Sequence, residues 1–202
     1  MVENGVPPVE KCRHASRFEV SYLLFVFSAA ECLIRISSQW RNGNDRGGKG
    51  VGGDRVGLHG ISLGGSTAIF AAANEPTIKA IWTDSTLAEF NLILKDEIAR
   101  YGMPNIFGPV VNIIGQMLTG IDPSDLSPAY KLTSSQSYYI THGQKDKRVP
   151  VHHFEFFQNY ISKKNIEADF WLIPDAYHVD AMLKYPDEYS EKMKQFFEEN
   201  LK

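Results

Sequence analysis

Ser62, Asp146 and His178 carry the three side-chain types that nucleophilic acyl chemistry needs, and they occur in the order hydroxyl, carboxylate, imidazole. A serine hydroxyl is a weak nucleophile near neutral pH. It needs a base within hydrogen-bond reach, and the base needs a group that orients it and stabilises its cation. Ser62 lies in Gly60-Ile61-Ser62-Leu63-Gly64, which fits G-x-S-x-G, with β-type residues before it and an alanine-rich helical run after it. A serine at a tight strand-to-helix bend leaves no room for side chains two positions away on either side. Gly60 and Gly64 are therefore expected to permit the turn. The new helix points its positive end at the hydroxyl, and the Leu63 N–H becomes one donor for an oxyanion.

Six histidines compete to be the base. His14 falls in a polar start and His59 on the strand before the bend. His142 follows a strand as a loop support, and His152 and His153 open a helix as surface or packing residues. His178 sits in IPDAYHVD, beyond the last strand and before the final helix, which puts it at the same sheet edge as Ser62. For the acid, HGQKDKRVP offers Asp146 in a tight loop leaving the strand SYYIT. Asp84, at the end of the preceding strand, is the runner-up. Asp175 and Asp180 lie too near His178 along the chain to orient its ring readily and read as loop or helix-start residues.

These residues need a scaffold, and the apolar runs supply one. Arg55 to Leu58, Ile78 to Thr83, Ser137 to Thr141 and Ala168 to Ile173 read as strands buried on both faces. Helical patterns fall between or after them at Leu63 to Ala73, Val151 to Lys163 and Asp187 to Leu201, so an α/β parallel sheet covered by helices is expected. Ser85 to Leu132 is too long for a simple crossover and reads as two or three helices over one end of the sheet. Before Arg55 the chain is different in kind. Residues 1 to about 17 are polar, and Val20 to Phe27 (VSYLLFVF) is apolar, the block to Trp40 reading either as a strand followed by a helix or as one helix. Arg41 to Asp54 carries six glycines in fourteen residues and reads as a surface loop. It is not a phosphate loop of the G-x-x-x-x-G-K-[ST] kind, because Gly50 follows Lys49.

Composition narrows the partners. The 202 residues are 43% hydrophobic and 22% charged, which suits one globular domain with a real core. A formal charge of −3 gives no overall pull towards nucleic acid or an anionic membrane, so a small molecule or peptide is the expected partner. Cys12 and Cys32 have neither disulfide nor metal-ligand spacing. A cytoplasmic location follows as the expectation, with no metal or cofactor. Val20 to Ala30, preceded by Lys11, Arg13 and Arg17, also has the outline of a secretory leader, but it is too short to span a bilayer and reads better as a buried element.

GISLGGSTA, HGQKDKRVP and PDAYHVDA together resemble the elbow, acid loop and histidine loop of the α/β-hydrolase superfamily. The layout is similar to the branch of serine esterases and peptidases that includes the prolyl-oligopeptidase-like and dienelactone-hydrolase-like groups. The resemblance runs from about Arg55 to Lys202. It implies an α/β-hydrolase-type, mostly parallel sheet flanked by helices, with a helical cap insertion at about 86–132. It also implies acyl transfer to water by Ser62, His178 and Asp146 without a cofactor, a carboxylic ester being the expected substrate and a peptide the alternative. In that superfamily four strands precede the elbow, and the loop after the third supplies a second oxyanion donor. Only 54 residues precede Arg55 here. Residues 1–54 are thus expected to form a divergent segment short of several strands, with VSYLLFVF beside the first core strand and a Ser28 or Ala29 N–H as second donor. The other expectation is a non-catalytic or truncated module that self-associates through its open sheet edge.

Overall fold

A computed structural model of the protein describes residues 56–201. VSYLLFVF, the glycine-rich loop and the Ser28 and Ala29 donors lie outside the described residues. Four strands, β1 (Val56–Ile61), β2 (Ile78–Asp84), β3 (Ser137–Gly143) and β4 (Ala168–Ile173), form a sheet in the order β1-β2-β3-β4. Every pairing is parallel, so all four carboxyl ends meet on one edge. The helices are α1 (Leu63–Asn74), α2 (Phe90–Arg100), α3 (Phe107–Thr119), α4 (His152–Lys164), α5 (Ala181–Lys184) and α6 (Pro186–Asn200).

The period-2 alternation of the central strands divides the core in two. Ile81, Tyr138 and Ile140 face Ala68, Ile69, Phe154, Phe157 and Ile161 of α1 and α4. Ala80 and Trp82 point the other way, towards Tyr189 and Phe196 of α6. On that second face Trp82 stacks on Tyr139, with ring centroids 3.8 Å apart, and donates its Nε1–H to the Tyr189 hydroxyl at 3.1 Å. A buried indole thereby keeps its polar edge satisfied. Burial on both faces holds for β2, with Lys79 alone half-buried, while β1 and β4, at the two ends of the described sheet, are mostly half-buried.

Between β2 and β3 run α2, α3 and two 3₁₀ turns, Pro123–Leu126 and Pro128–Lys131. Glu89 caps α2, its carboxylate accepting the Asn91 and Leu92 N–H groups. Phe90, Leu94 and Ile98 bury the inner face of α2 against Val111 and Leu126. In α3 the buried positions are Gly108 and Gly115, one heptad apart. α3 therefore lies on α2 by its smooth side, with Asn112 bonded to Asn91.

Candidate active site

Ser62 stands between β1 and α1 with φ 53° and ψ −120°, a backbone state that L-residues rarely adopt. Such strain persists only where neighbours impose it. Here the Ser62 N–H donates to the Asp84 carbonyl at 2.7 Å, and the Thr86 hydroxyl donates to the Ser62 carbonyl at 3.2 Å. The tip of β2 thus holds both ends of the bend.

Two glycines let the elbow close, and one of them differs from the expected pair. A Cβ on Gly60 would lie 2.2 Å from the Gly64 carbonyl oxygen, so Gly60 is required as expected. Gly64 has open space around its position, whereas a Cβ on Gly65 would lie 1.9 Å from Thr86 Oγ1. The residue that must be glycine after the serine is Gly65, because the close approach is to Thr86, two residues past the end of β2, and not to the turn itself.

Ser62, His178 and Asp146 meet at the carboxyl edge of the sheet. His178 Nε2 lies 3.0 Å from Ser62 Oγ, and His178 Nδ1 lies 2.7 Å from Asp146 Oδ2. An ionised carboxylate can only accept, so Nδ1 carries the ring proton and Nε2 presents a lone pair to the serine hydroxyl. The other Asp146 oxygen accepts the Arg148 and Val149 N–H groups at 2.8 and 2.9 Å. Asp146 is buried, while Ser62 and His178 are half-buried and open to approach. Leu63 is the first residue of α1, where helix N–H groups have no partner within the helix.

The histidine loop is seated on the acid loop by backbone contacts. Gln144 N–H donates to the Ile173 carbonyl and Lys145 N–H to the Ala176 carbonyl, both at 2.9 Å. Gly143 makes this possible, since a Cβ there would meet the Ala176 and Tyr177 carbonyl oxygens at 2.5 and 2.6 Å. His142 is buried and sits within hydrogen-bond distance of the Val149 carbonyl, 2.9 Å, where its Nε2–H supports the loop as expected.

The remaining sequence candidates go elsewhere. Asp84 makes no bond to His178; its Oδ1 accepts from Ser85 Oγ at 2.9 Å. Burial pushes its carboxyl up to about 6. Hydrogen bonding from Ser85 and, more weakly, from the Tyr189 hydroxyl pulls the other way. Tyr189 lies outside ordinary bond geometry, so Oδ2 has no full partner among the described residues. Asp175 binds Tyr185 and Lys184, and Asp180 turns back to the Tyr177 N–H. His59 Nε2 lies 3.0 Å from the Tyr189 hydroxyl, on the face away from α1.

His152 and His153 are more than helix-start packing. With Asp96 of α2 they bring three metal-type ligand atoms within 4.8 Å of one another. The wiring of His153 argues against ligation. Its Nδ1 accepts the Ala88 N–H at 3.0 Å, which leaves the proton on Nε2, facing Asp96 Oδ2 at 3.2 Å. A ligating imidazole needs that Nε2 lone pair free and its other nitrogen donating. Burial holds His153 down at about 4, so it is neutral near pH 7 and this tautomer stands. The cluster ties α2 to α4. A second tie runs from Arg100, paired with Glu97, to the Lys147 and Arg148 carbonyls at 2.9 and 2.8 Å.

Sequence reasoning passed over Gly65, Gly143, Ser85, Thr86 and Arg100. The cue for the middle pair was Asp84-Ser85-Thr86 directly after a strand ending at the same edge as Ser62. The partners that give these residues meaning are 24 to 94 positions distant, beyond the reach of a local pattern.

Comparison with known proteins brings in the family. The model of the prolyl oligopeptidase family matches residues 48–202. No curated protein matches the sequence. Among solved structures, an esterase of Pyrococcus furiosus is similar with a TM-score of 0.61 at 17% identity, over 84% of this chain and 62% of that one. The Pyrococcus horikoshii acylaminoacyl peptidase has a TM-score of 0.57 at 18% identity, over 73% of this chain and 24% of its own. Acetyl xylan esterase 1 from Thermoanaerobacterium has a TM-score of 0.54 at 19% identity, over 97% of this chain and 59% of that one. At these identities the likeness is one of fold, the α/β-hydrolase fold. The chain spans less than two thirds of the length of each of these proteins.

Proposed function

The chain belongs to the prolyl oligopeptidase family, and from that premise we propose that it is a serine hydrolase that cleaves a carboxylic ester through an acyl-enzyme. The observation that carries this reading is the hydrogen-bonded line from Ser62 through His178 to Asp146. His178 Nε2 takes the Ser62 proton as Oγ attacks the carbonyl carbon, while Asp146 stabilises the imidazolium and keeps its orientation. The Leu63 N–H faces the oxygen that becomes negative. The imidazolium then protonates the leaving alkoxide, giving an alcohol and acyl-Ser62. A water, deprotonated by His178, attacks this acyl group, and the returning proton regenerates the serine.

The segment 86–132 is part of the proposal as a cap, and its apolar residues between Phe90 and Leu118 favour an apolar acyl or alcohol group. A cytoplasmic site of action rests on the two cysteines without disulfide spacing. Cleavage of a peptide by the same steps is the second reading, supported by the family's description and by the similarity to an acylaminoacyl peptidase.

The test is labelling of the full chain by a fluorophosphonate, with the adduct located by mass spectrometry. Wild type labels at Ser62, and Ser62→Ala neither labels nor turns over p-nitrophenyl esters, a loss of roughly 10⁴-fold or more. A folded wild type that never labels overturns the hydrolase reading in favour of a non-catalytic module that associates through its sheet edge. Hydrolysis of aminoacyl amides but not esters would overturn the choice of substrate.

A further inference from the structure

Four non-glycine residues among those described have a positive φ, and three of them cluster at the site: Ser62 at 53°, Ser85 at 53° and Val179 at 52°. The fourth, Asn165, is an ordinary left-handed end of α4. Val179 is the least expected, because a β-branched side chain fits that region worst. It directly follows His178, so whatever holds its backbone also sets where the imidazole points.

Ser85 is what holds it. The Val179 N–H donates to Ser85 Oγ at 3.0 Å. An amide nitrogen can only donate, so the serine oxygen accepts there and its single proton is left for Asp84 Oδ1, 2.9 Å away. Ser85 is itself fixed, its N–H donating to the Thr141 carbonyl of β3 at 3.0 Å, and it is fully buried. On its other side the histidine loop rests on Gly143 and Lys145. The histidine loop is therefore gripped by the acid loop and by Ser85 just past β2, and the same β2 tip that fixes the Ser62 backbone also fixes the backbone next to His178.

We propose that Ser85, oriented by Asp84, is the positioning residue that keeps His178 aligned between Ser62 and Asp146. The proposal rests on the reading of Ser62 as nucleophile and His178 as base. Without the hydroxyl, Val179 loses the bond that holds it in a left-handed conformation, and its relaxation moves the ring off the line to Ser62. A misplacement of about 1 Å in such a line costs on the order of 10²-fold in rate.

The experiment compares wild type, Ser85→Ala and Ser85→Gly in the full chain. Glycine accepts the 53° φ without strain, so it separates loss of the hydroxyl from loss of backbone fit and remains usable should the alanine variant fail to fold. Two quantities are read: the downfield NMR resonance of the His178 Nδ1–H bonded to Asp146, and the rate of Ser62 labelling with kcat and KM on p-nitrophenyl acetate. Both variants are expected to lose or broaden the resonance and to drop roughly 10²-fold in labelling and kcat at unchanged KM. Ser62→Ala keeps the resonance. Folded Ser85→Gly with the wild-type resonance overturns the positioning role, as does wild-type behaviour of both variants. Absence of labelling in wild type counts against the nucleophile reading alone, and the resonance then decides the role of Ser85.

Discussion

The carboxyl edge of the sheet and helix α3 both invert the usual distribution of polarity, in opposite directions. At the sheet edge polar groups are buried: Thr83, Asp84, Ser85, Thr86, Thr141, His142 and Asp146 are all removed from solvent. Several are short of partners among the described residues, including Asp84 Oδ2, Thr83 Oγ1 and Thr141 Oγ1. On α3 apolar groups are exposed, with Met117 at 81%, Leu118 at 79% and Ile106, just before the helix, at 77% of full exposure. The first inversion is dense with specific bonds and strained backbone, the mark of a place where stability has been given up for geometry. The second has one side-chain bond to its neighbour among the described residues, Asn112 to Asn91, and follows from α3 turning its two glycines inward. One region is fixed by its contacts; the other is merely tolerated by the fold.

This contrast predicts where substitution hurts. The largest effect is expected at Gly65, where the added Cβ of Gly65→Ala collides with a buried, hydrogen-bonded Thr86. Destabilisation at the upper end of about 1–3 kcal/mol is expected, with loss of Ser62 labelling. Gly64→Ala, one residue earlier and in open space, should be neutral or gain up to about 1 kcal/mol as a helix position. Urea unfolding checks the pair, and equal losses at both positions would erase the distinction drawn at the elbow.

An intermediate effect concerns pH. Burial raises Asp84 from 3.8 to about 6, so between those values the unfolded chain has released a proton that the folded chain keeps. Its contribution to stability is full below about pH 4 and is lost as pH rises towards 6. His153 is lowered from 6.5 to about 4, so its contribution is full above about pH 6.5 and is lost as pH falls towards 4. The two oppose each other across the same window. Asp84→Asn removes one of them, and its stability should then climb with pH more steeply than wild type by about 1 kcal/mol per pH unit between pH 4 and 6. Parallel stability curves from urea unfolding at stepped pH would contradict the burial of an acidic Asp84.

The smallest effect is expected on α3. Met117→Ser, with its side chain in solvent, should change folding stability by less than about 0.5 kcal/mol. A loss of 2 kcal/mol or more would mean that the face is covered in the intact protein, and would dissolve its contrast with the sheet edge.

Much of this was legible in the sequence, for reasons that differ by element. All four strands were read within three residues of their observed ends, because apolar runs bounded by Gly, Asp or Pro are local signals. α1, α4 and α6 were visible for the same reason. The residues Ser62, Asp146 and His178 were legible because each sits in a short motif at the end of a strand, and parallel strands bring all such ends to one edge. Less legible was the half-burial of β1 and β4, which depends on a strand's place in the sheet and not on its own residues.

By itself the sequence determined the α/β layering, the chain order of hydroxyl, carboxylate and imidazole, and the need for a bend at Ser62. Periodicity and turn chemistry act over a few residues, and these features require no more. Only the tertiary structure decided between Asp146 and Asp84 as the partner of His178, between Gly64 and Gly65 as the required glycine, and gave Ser85 a role. Each of those outcomes turns on an approach of a few ångströms between elements far apart in the chain, and such distances are set by packing.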